Sequence, residues 1–287
     1  MKTNKDRLVM LSVQGMISHP LQGNGYKISH EGQPVILPGT GGITYNVKVG
    51  DDCMKWVGDH VEPGVSIKLK GTKNRRANSG LNLMACIGNK AIVRTGEAKG
   101  AEGFVTGKHG GIEHVLIYFD DETLEKLNIG DKILIKSYGQ GLAIDGMDDI
   151  KIMNLDPELF EKINPRQNGD TLEVPVAAKI PAKLMGSGLG AYTAARGDYD
   201  LTTADPEVLK KYGLENLRFG DLVALMDTDN SYGRCYRGGA VSIGVVIHSN
   251  CLIAGHGPGI TTILTSANGK IPPVEDKKAN IADYMDV

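Results

Sequence analysis

The sequence predicts a mainly β protein with a few short helices (α+β), folded as two β-barrel or β-sandwich-like halves. Three observations support this prediction. Short segments rich in β-branched residues recur along the chain, as is typical of strands. Glycine accounts for 38 of the 287 residues, which indicates many tight turns. A module of helix, Gly-Asp turn and strand also occurs twice, at residues 122–139 and 207–233.

Four segments are predicted to be strands. Residues 65–70 alternate apolar and polar side chains, which is the pattern of a half-buried strand. Residues 114–119 and 131–137 are short and rich in β-branched or aromatic residues. Residues 241–249 continue this pattern over nine positions, so the C-terminal half contains the longest predicted strand.

Three short helices are predicted, at residues 122–127, Pro157–Ile163 and Pro206–Tyr212. The last two begin with Asp-Pro-Glu, in which Asp156 or Asp205 is the N-cap and proline takes the first helical position. Acidic residues in the first turn also suit the positive end of the helix dipole.

Domain boundaries follow from the repeated module. We predict an N-terminal β-rich domain at residues 1–152 and a C-terminal one at 174–287, joined by a linker with a short helix at 153–173. The tail at 266–287 is proline-rich and charged, which favours a frayed end. An arm lying on a neighbouring subunit is the alternative.

Two other stretches are predicted to be loops. Residues 73–78, "KNRRAN", form a basic segment expected in solvent. Residues 37–51, "LPGTGGITYNVKVGD", are expected to form a multi-glycine turn entering a strand, although the glycines would also allow close approach to a ligand.

The composition excludes some classes of binding partner. The formal net charge of −2 argues against nucleic acid or an anionic membrane, which normally need a basic face. Four scattered cysteines without a C-x-x-C pair exclude a zinc ribbon and predict reduced thiols in a cytoplasmic protein. We expect neither a signal peptide nor a membrane span. The predicted partners are a small-molecule ligand and further copies of the chain.

The first candidate cluster is "TGKHGGIEH", residues 106–114. Its glycines predict a hairpin turn with His109 at the tip. His109 with Glu113 or His114 is a candidate metal-binding or basic group. The alternative is a plain glycine turn with its polar residues in water.

Two pairs of aspartates suggest a cation site. Asp198 and Asp200 are two residues apart and share a face on an extended segment, where they can hold a divalent cation or act as an acid. Asp227 and Asp229 follow an apolar strand on one predicted face, with Arg234 just beyond. The alternatives are a turn in which Arg196 pairs with an aspartate, and an Asx-rich hairpin.

The segment "IAGHGPGITT" surrounds His256 with Gly255, Gly257 and Gly259. Glycine permits positive φ and close backbone approach. We therefore predict a stiff loop whose amides converge on an anion beside the imidazole. His248 ends the preceding strand. A packed or solvated histidine is the alternative interpretation.

These residues define one hypothetical site. His256, Asp227 and Asp198 are assigned to catalysis, Asp200, Asp229 and His248 to a metal, and Gly255, Gly257, Gly259, Arg234 and His109 to ligand binding. The cofactor is unknown, and a divalent metal fits the donors. The predicted function is binding of a small polar ligand, extended to metal-assisted hydrolysis of an amide-like bond. The alternative is a non-catalytic small-molecule-binding or assembly protein.

Several longer motifs resemble one bacterial family of unknown function, DUF4438. They are "PGTGGITYNVKVGD", "ACIGNKAIV", "TGKHGGIEHV", "LMGSGLGAY", "RGDYDLTT" and "GAVSIGVVIHSN" followed by "AGHGPG". The resemblance extends over nearly the whole chain and implies a two-part organisation without any catalytic assignment. A looser similarity to acetamidase/formamidase-type proteins rests on "GDHVEPGVSI" alone and is an analogy only.

Overall fold

A computed structural model describes residues 1–21, 25–69, 71 and 74–287. Strands are its main elements, and they form two barrel-like halves connected by β10 and α3. The first half contains β1 Leu11–Ile17, β2 Lys27–Ile28, β3 Pro34–Val35, β4 Ile43–Thr44, β5 Gly64–Lys68, α1 Arg75–Met84, β6 Lys90–Val93, β7 Glu102–His109, β8 His114–Tyr118, α2 Asp121–Lys126 and β9 Lys132–Ser137. It is followed by β10 Lys151–Ile152, α3 Pro157–Ile163, β11 Arg166–Asn168, β12 Thr171–Val176, β13 Ala178–Ile180, β14 Met185–Leu189, β15 Tyr199–Leu201, α4 Pro206–Tyr212, β16 Leu222–Asp229, β17 Cys235–His248, β18 Gly259–Ser266, β19 Pro273–Glu275 and α5 Ile281–Met285.

The first half is a closed barrel of six strands. Their order is β1-β9-β6-β7-β8-β5, and β5 pairs back with β1 to close the ring. The strand β4 adds to the edge of β5. Closure removes the exposed sheet edges, and the interior is filled by apolar side chains such as Val65, Ile67, Val105 and Ile135.

The second half is a half-barrel. Its six strands lie in the order β13-β16-β17-β18-β15-β14, and β10 from the connecting segment also pairs with β18. All its pairings are antiparallel except that of β13 with β16. The predicted fold class, mainly β with two barrel-like halves, is thus confirmed.

The two halves share a core along a seam between β7 and the β17–β18 pair. Phe104 and Leu116 of the barrel belong to the same buried cluster as Val241 and Ile247 of the half-barrel. Gly107 faces Ile247 so closely that a Cβ at residue 107 would lie 2.4 Å from the isoleucine Cγ2. This seam ends at His109 and His248, which brings polar residues of both halves together.

The four predicted strands are present with bounds shifted by one or two residues, apart from β17, which begins six residues earlier. Residue 70, the predicted end of the first one, lies outside the described residues. The two helices with Asp-Pro-Glu starts have the predicted bounds, and both aspartates accept N-cap hydrogen bonds.

The predicted solvated loop at residues 73–78 is wrong from residue 75 onward, and residue 73 lies outside the described residues. Helix α1 begins at Arg75 and buries Asn78, Leu81 and Asn82. Asn78 accepts a hydrogen bond from the Leu69 amide at 2.8 Å. These tertiary contacts stabilise a helix whose Asn, Ser and Gly content is unfavourable by propensity alone.

His109 is the last residue of a strand rather than the tip of an exposed hairpin. Strand β7 continues to His109, and the turn is formed by residues 110–113. The imidazole is 7% exposed because this strand end lies on the seam between the halves. The predicted position at the tip is therefore wrong for His109, and so is the alternative of a plain turn with this residue in water.

The predicted frayed tail is an integral part of the second half. Strand β19 pairs in parallel with β12, and Ile271, Ala279 and Ile281 are fully buried. Asn280 caps α5 and donates to Asp221 Oδ1 at 2.8 Å. The charged residues mask these apolar anchors in the sequence, which explains the wrong prediction.

The segment 153–173, predicted to be a linker, contains α3 and most of a hairpin. Leu159, Phe160 and Ile163 of α3 belong to the shared core. Asn154 lies just before the helix and donates to Ala194 O and Thr262 O at 2.9 and 2.8 Å. The connecting segment therefore packs against the second half.

Candidate functional site

Polar side chains from both halves converge at the end of the seam. Five of the seven histidines meet here, together with four carboxylates and one thiol. His109 and His114 come from the β7–β8 hairpin, and His248 ends β17. The full set is His60, His109, His114, His248, His256, Asp59, Glu62, Asp198, Asp200 and Cys251.

His109, Asp198 and His248 form the most deeply buried group. Each offers one ligand atom, and these atoms all lie within 4.8 Å of one another. His248 Nε2 is 2.9 Å from Asp198 Oδ2, yet among the described residues neither atom has a hydrogen-bond partner. At this distance the two side chains form a close buried ion pair when the ring is protonated.

The outer atoms of this group are held by neighbours. His248 Nδ1 donates to the Ser249 carbonyl oxygen at 2.9 Å, which directs Nε2 toward the carboxylates. Gly110 donates its amide to Asp198 Oδ1 at 2.7 Å. Both side chains are therefore fixed from outside while their inner atoms stay available for another partner.

The carboxylate of Glu62 contacts both His109 and His114. This carboxylate is fully buried and lies 2.5 Å from His109 Nδ1 and 3.0 Å from His114 Nδ1. Ser66 Oγ and the Gly41 amide donate to the same carboxylate, both at 2.5 Å. Burial acts to raise the pKa of Glu62, but His114 and His109 hold it well below its usual range. This anion fixes both imidazoles.

A second group lies beside the first. Asp200 Oδ2 is 2.7 Å from His256 Nδ1 and 3.2 Å from His60 Nε2, and those two nitrogens are 3.3 Å apart. Cys251 completes the group, since its Sγ lies within 4.8 Å of the ligand atoms of His60 and His256. Asp59 Oδ1 is 2.7 Å from His60 Nδ1 and accepts from the Cys251 thiol at 2.8 Å.

The electrostatics favour positive charge in this cluster. Burial alone would lower the pKa of His60, but contacts with carboxylates, that of Asp200 first, raise it to about 10. Burial also opposes charge on His248, yet Asp198 and Asp200 hold its pKa well above its usual value. Burial acts to raise the pKa of Asp200, and three imidazoles, that of His248 first, lower it instead. The ionised carboxylates of Glu62 and Asp200 attract protons or metal ions.

An open cleft leads to the cluster. It has a volume of about 390 Å³, and His60 and His109 form part of its wall. Leu37 and Ile112 supply apolar surface, and Lys27 supplies an ammonium group that lies 2.5 Å from Asp59 Oδ2. Pockets for small ligands usually measure roughly 300–1,000 Å³, so a small molecule can reach both imidazoles.

The glycines of the His256 loop allow close packing around these groups. A Cβ at Gly259 would lie 2.1 Å from Asp198 Oδ2 and 2.2 Å from His248 Nε2. A Cβ at Gly257 would collide with the Leu201 carbonyl oxygen, and Gly255 alone of the three has positive φ. The His256 amide donates to Ile253 O at 3.0 Å, so this one amide of the loop is already occupied.

The structure brings together five of the residues that the sequence analysis selected. These are His109, Asp198, Asp200, His248 and His256. The carboxylates of Asp198 and Asp200 both approach the imidazole of His248, at 2.9 and 3.4 Å. The proximity of the His256 loop to one of the two predicted aspartate pairs is therefore a property of the fold.

The other aspartate pair has different partners. Asp227 has a φ of +52° and sits at a register shift between β16 and β17, so the predicted alternation of faces breaks there. Its Oδ1 accepts from the Gly239 amide at 2.8 Å. Asp229 accepts from the Ser231 amide at 2.9 Å. Both carboxylates serve the β16–β17 hairpin, as the Asx-turn alternative supposed.

Arg234 also lies outside the cluster. Its guanidinium donates to the Gly186 carbonyl and stacks over the Tyr199 ring at 5.3 Å. Gly186 precedes Gly188, whose missing side chain makes room for Asp200 and His256. Arg234 therefore supports the strand behind the site without contacting its imidazoles.

Sequence reasoning missed five members of the cluster as site residues or left them as alternatives. Asp59, His60 and Glu62 lie in one short segment before β5, and the sequence analysis uses that segment only for the loose similarity of "GDHVEPGVSI". His114 was one of two options, and Cys251 was counted only as a thiol. The usable signal was "DHVE", which places three ionisable groups in four residues between glycines.

Comparisons with known proteins follow the same two-part division. One family model, described as the N-terminal domain of unknown function DUF4438, matches residues 26–161. A second, the corresponding C-terminal domain, matches residues 161–285. The chain belongs to the DUF4438 family. The resemblance found in the sequence motifs is confirmed by these matches.

A solved structure supports the DUF4438 fold directly. The structure titled "Crystal structure of TM1086" is 52% identical in sequence, covers 99% of both chains and superposes with a TM-score of 0.93. No curated protein matches the chain. Among the described residues, no helix combines the length and apolar character needed to cross a bilayer.

Proposed function

We propose that His109, Asp198 and His248 bind a divalent transition-metal ion, and that the protein uses it to hydrolyse an amide-like bond in a small polar substrate. One observation carries this proposal. Asp198 Oδ2 and His248 Nε2 are buried 2.9 Å apart without a hydrogen bond to any described residue. A buried carboxylate oxygen and imidazole nitrogen held so close need a positive charge between or beside them, which a proton or a metal ion supplies. Neighbouring ligands on one ion lie roughly 3.0–3.4 Å apart, for bonds of about 2.1 Å.

The outer contacts support ligand roles. Metal-binding histidines usually donate their second ring N–H to a carboxylate or a backbone carbonyl. His109 has Glu62 at its Nδ1, and His248 has the Ser249 carbonyl at its Nδ1. Each contact fixes the plane of the ring from its Nδ1 side. The Nε2 atoms are thereby directed to where an ion, in place of a proton, would bind.

The donor set suits catalysis better than a closed structural site. Three protein ligands leave a position for water or substrate, as in catalytic zinc sites. Two imidazoles and a carboxylate suit Zn²⁺, Fe²⁺ or Mn²⁺. An ion held there would lower the pKa of a bound water and polarise a substrate carbonyl.

The cleft suits a small and polar substrate. His109 belongs to both the ligand set and the cleft wall, so a molecule in the cleft reaches the ion from its open side. The ammonium group of Lys27 is half-exposed at the same cleft and favours a substrate with an electronegative or anionic group.

Metal content tests the proposal. Full-length protein purified without chelator is analysed for bound metals, stripped, and reloaded with Zn²⁺, Mn²⁺ or Fe²⁺. We expect bound metal in the wild type, its loss in His248→Ala and Asp198→Asn, and a lower Tm after stripping. A ligand at 100 times its Kd stabilises by about 2.7 kcal/mol, or roughly 5–10 °C in Tm for a chain of this size. Reloaded protein is then assayed against a panel of small amides.

Asp229→Ala is the matched control, because it removes a partly exposed carboxylate of the β16–β17 hairpin that lies outside the cluster. Wild-type protein that binds no metal and melts unchanged in EDTA would overturn the proposal. It would favour the alternative of a non-catalytic small-molecule-binding or assembly protein. Metal binding without hydrolysis of any amide would remove only the hydrolase part.

The cellular location and the oligomeric state are two further proposals. We propose a cytoplasmic location, which the four free cysteines support, because reduced thiols persist in a reducing compartment. We also propose a homo-oligomer, for which light scattering of the purified protein is the test.

A further inference from the structure

The donors next to the proposed metal position form a second set. They are His60 Nε2, Asp200 Oδ2 and His256 Nδ1, which lie 2.7, 3.2 and 3.3 Å from one another. Ligands on a tetrahedral ion with bonds of about 2.0–2.1 Å lie roughly 3.3 Å apart. The triangle is therefore already close to the size that one ion needs, with Cys251 Sγ near enough to be a fourth ligand.

Asp200 faces both sets. Its Oδ1 lies 3.4 Å from His248 Nε2 of the first set, and its Oδ2 contacts His60 and His256 of the second. The side chain is 6% exposed, so no other conformation in solvent competes with this one. A carboxylate with one oxygen on each side is the usual bridge between two ions about 3.5–4 Å apart.

Neighbouring side chains orient the donors of the second set, as they do those of the first. His60 Nδ1 lies 2.7 Å from Asp59 Oδ1, an outer partner of the kind that metal-binding histidines have, and Nε2 faces Asp200, where an ion would replace its proton. The same Asp59 oxygen accepts from the Cys251 thiol, so the sulfur is already oriented. Lys27 pairs with the other Asp59 oxygen at 2.5 Å and fixes that carboxylate in turn.

Charge points to more than one cation. Four carboxylates are gathered in the cluster: Asp59, Glu62, Asp198 and Asp200. Among the described residues, Lys27 is the lysine that contacts them, and it is 47% exposed in its side chain. Together with Lys27, two divalent ions balance the four carboxylates and a Cys251 thiolate, whereas a single ion leaves two of these negative charges to protons on imidazoles.

We infer that His60, Asp200, His256 and Cys251 bind a second divalent ion, and that Asp200 bridges it to the ion at His109, Asp198 and His248. The inference rests on the proposed function and extends it to a two-metal centre. His256 is thereby assigned to an ion rather than to proton transfer. The thiolate ligand makes this position the softer of the two, suited to Zn²⁺ or Co²⁺.

Cobalt loading of the full-length protein tests the second ion. We expect two Co²⁺ per chain in the wild type and one in His256→Ala. We also expect a sulfur-to-cobalt charge-transfer absorption in the near ultraviolet that Cys251→Ser abolishes. Cys251→Ser is nearly isosteric, so it keeps the test valid if His256→Ala does not fold. Circular dichroism of each variant verifies the fold.

The outcomes separate the two proposals. One ion that is lost in His248→Ala and kept in His256→Ala, with no sulfur absorption, would overturn the second position and leave the first. One ion that follows His256 and not His248 would overturn the first position instead. A chain that binds no cobalt or zinc would overturn both.

Discussion

Gly259→Ala tests the packing around the proposed centre most directly. A Cβ at residue 259 would lie 2.1 Å from Asp198 Oδ2 and 2.2 Å from His248 Nε2, whereas ordinary contact begins at 3.4 Å. Each atom must therefore retreat by more than 1 Å. His248 cannot do so cheaply, because it is fully buried and its ring packs against those of His60 and His109 at 4.9 and 4.5 Å between centroids.

We expect this one methyl group to abolish metal binding and to destabilise the fold. Overpacking a buried site costs about 1–3 kcal/mol, which corresponds to a fall in Tm of roughly 2–10 °C for a chain of this size. Thermal melts with and without added Zn²⁺ measure the stability and its metal-dependent part. Elemental analysis of the same samples measures the ion.

Gly80→Ala is the matched control. Gly80 lies in α1, where an added Cβ has no neighbour within 4 Å, and alanine in a helix is favoured by about 0.5–1 kcal/mol. We expect slightly higher stability and unchanged metal content. Gly259→Ala protein with wild-type Tm and metal content would refute the reasoning. The site would then accommodate the added methyl group without displacing Asp198 or His248.

Three further substitutions test other parts of the argument. Lys108→Met removes a buried ammonium that donates to Asn154 Oδ1 and Ala195 O, so urea unfolding should show a loss of about 2 kcal/mol; an unchanged midpoint would exclude this link between the halves. Glu62→Gln weakens the contact that orients His109, and Zn²⁺ titration should show affinity reduced about 10–100-fold. Equal affinity would mean that the carboxylate does not orient the ring. Asp229→Ala should leave the metal content unchanged. A loss of metal would instead support the sequence-based assignment of Asp229 as a metal ligand.

The parts of the fold that the sequence predicted correctly depend on local interactions. The Asp-Pro-Glu starts of α3 and α4 and the strand at β17 are determined by caps and by β-branched composition. Helix α1 was missed because its stability comes from Asn78 and Asn82 bonding to distant backbone. The buried tail was missed because its apolar anchors are separated by charged residues.

The candidate site was partly predictable for the same reason. Local sequence patterns place four of its members on strands or glycine-rich loops: Asp198, Asp200, His248 and His256. They were assigned to one site because acids and imidazoles are common metal ligands. Asp227 and Asp229 share that local pattern, but a β-bulge at Asp227 turns it away, and bulges leave little trace in a sequence. Asp59, His60 and Glu62 of "DHVE" join the cluster only because the two halves pack against each other. That packing cannot be read from the pattern of one short segment.

The boundary between the two family models, at residue 161, divides the histidine and acid cluster in two. His60 and His109 come from the first segment, whereas Asp198, Asp200 and His248 come from the second. Neither segment has a complete set of these groups, so a fragment that contains only one of them cannot assemble the cluster.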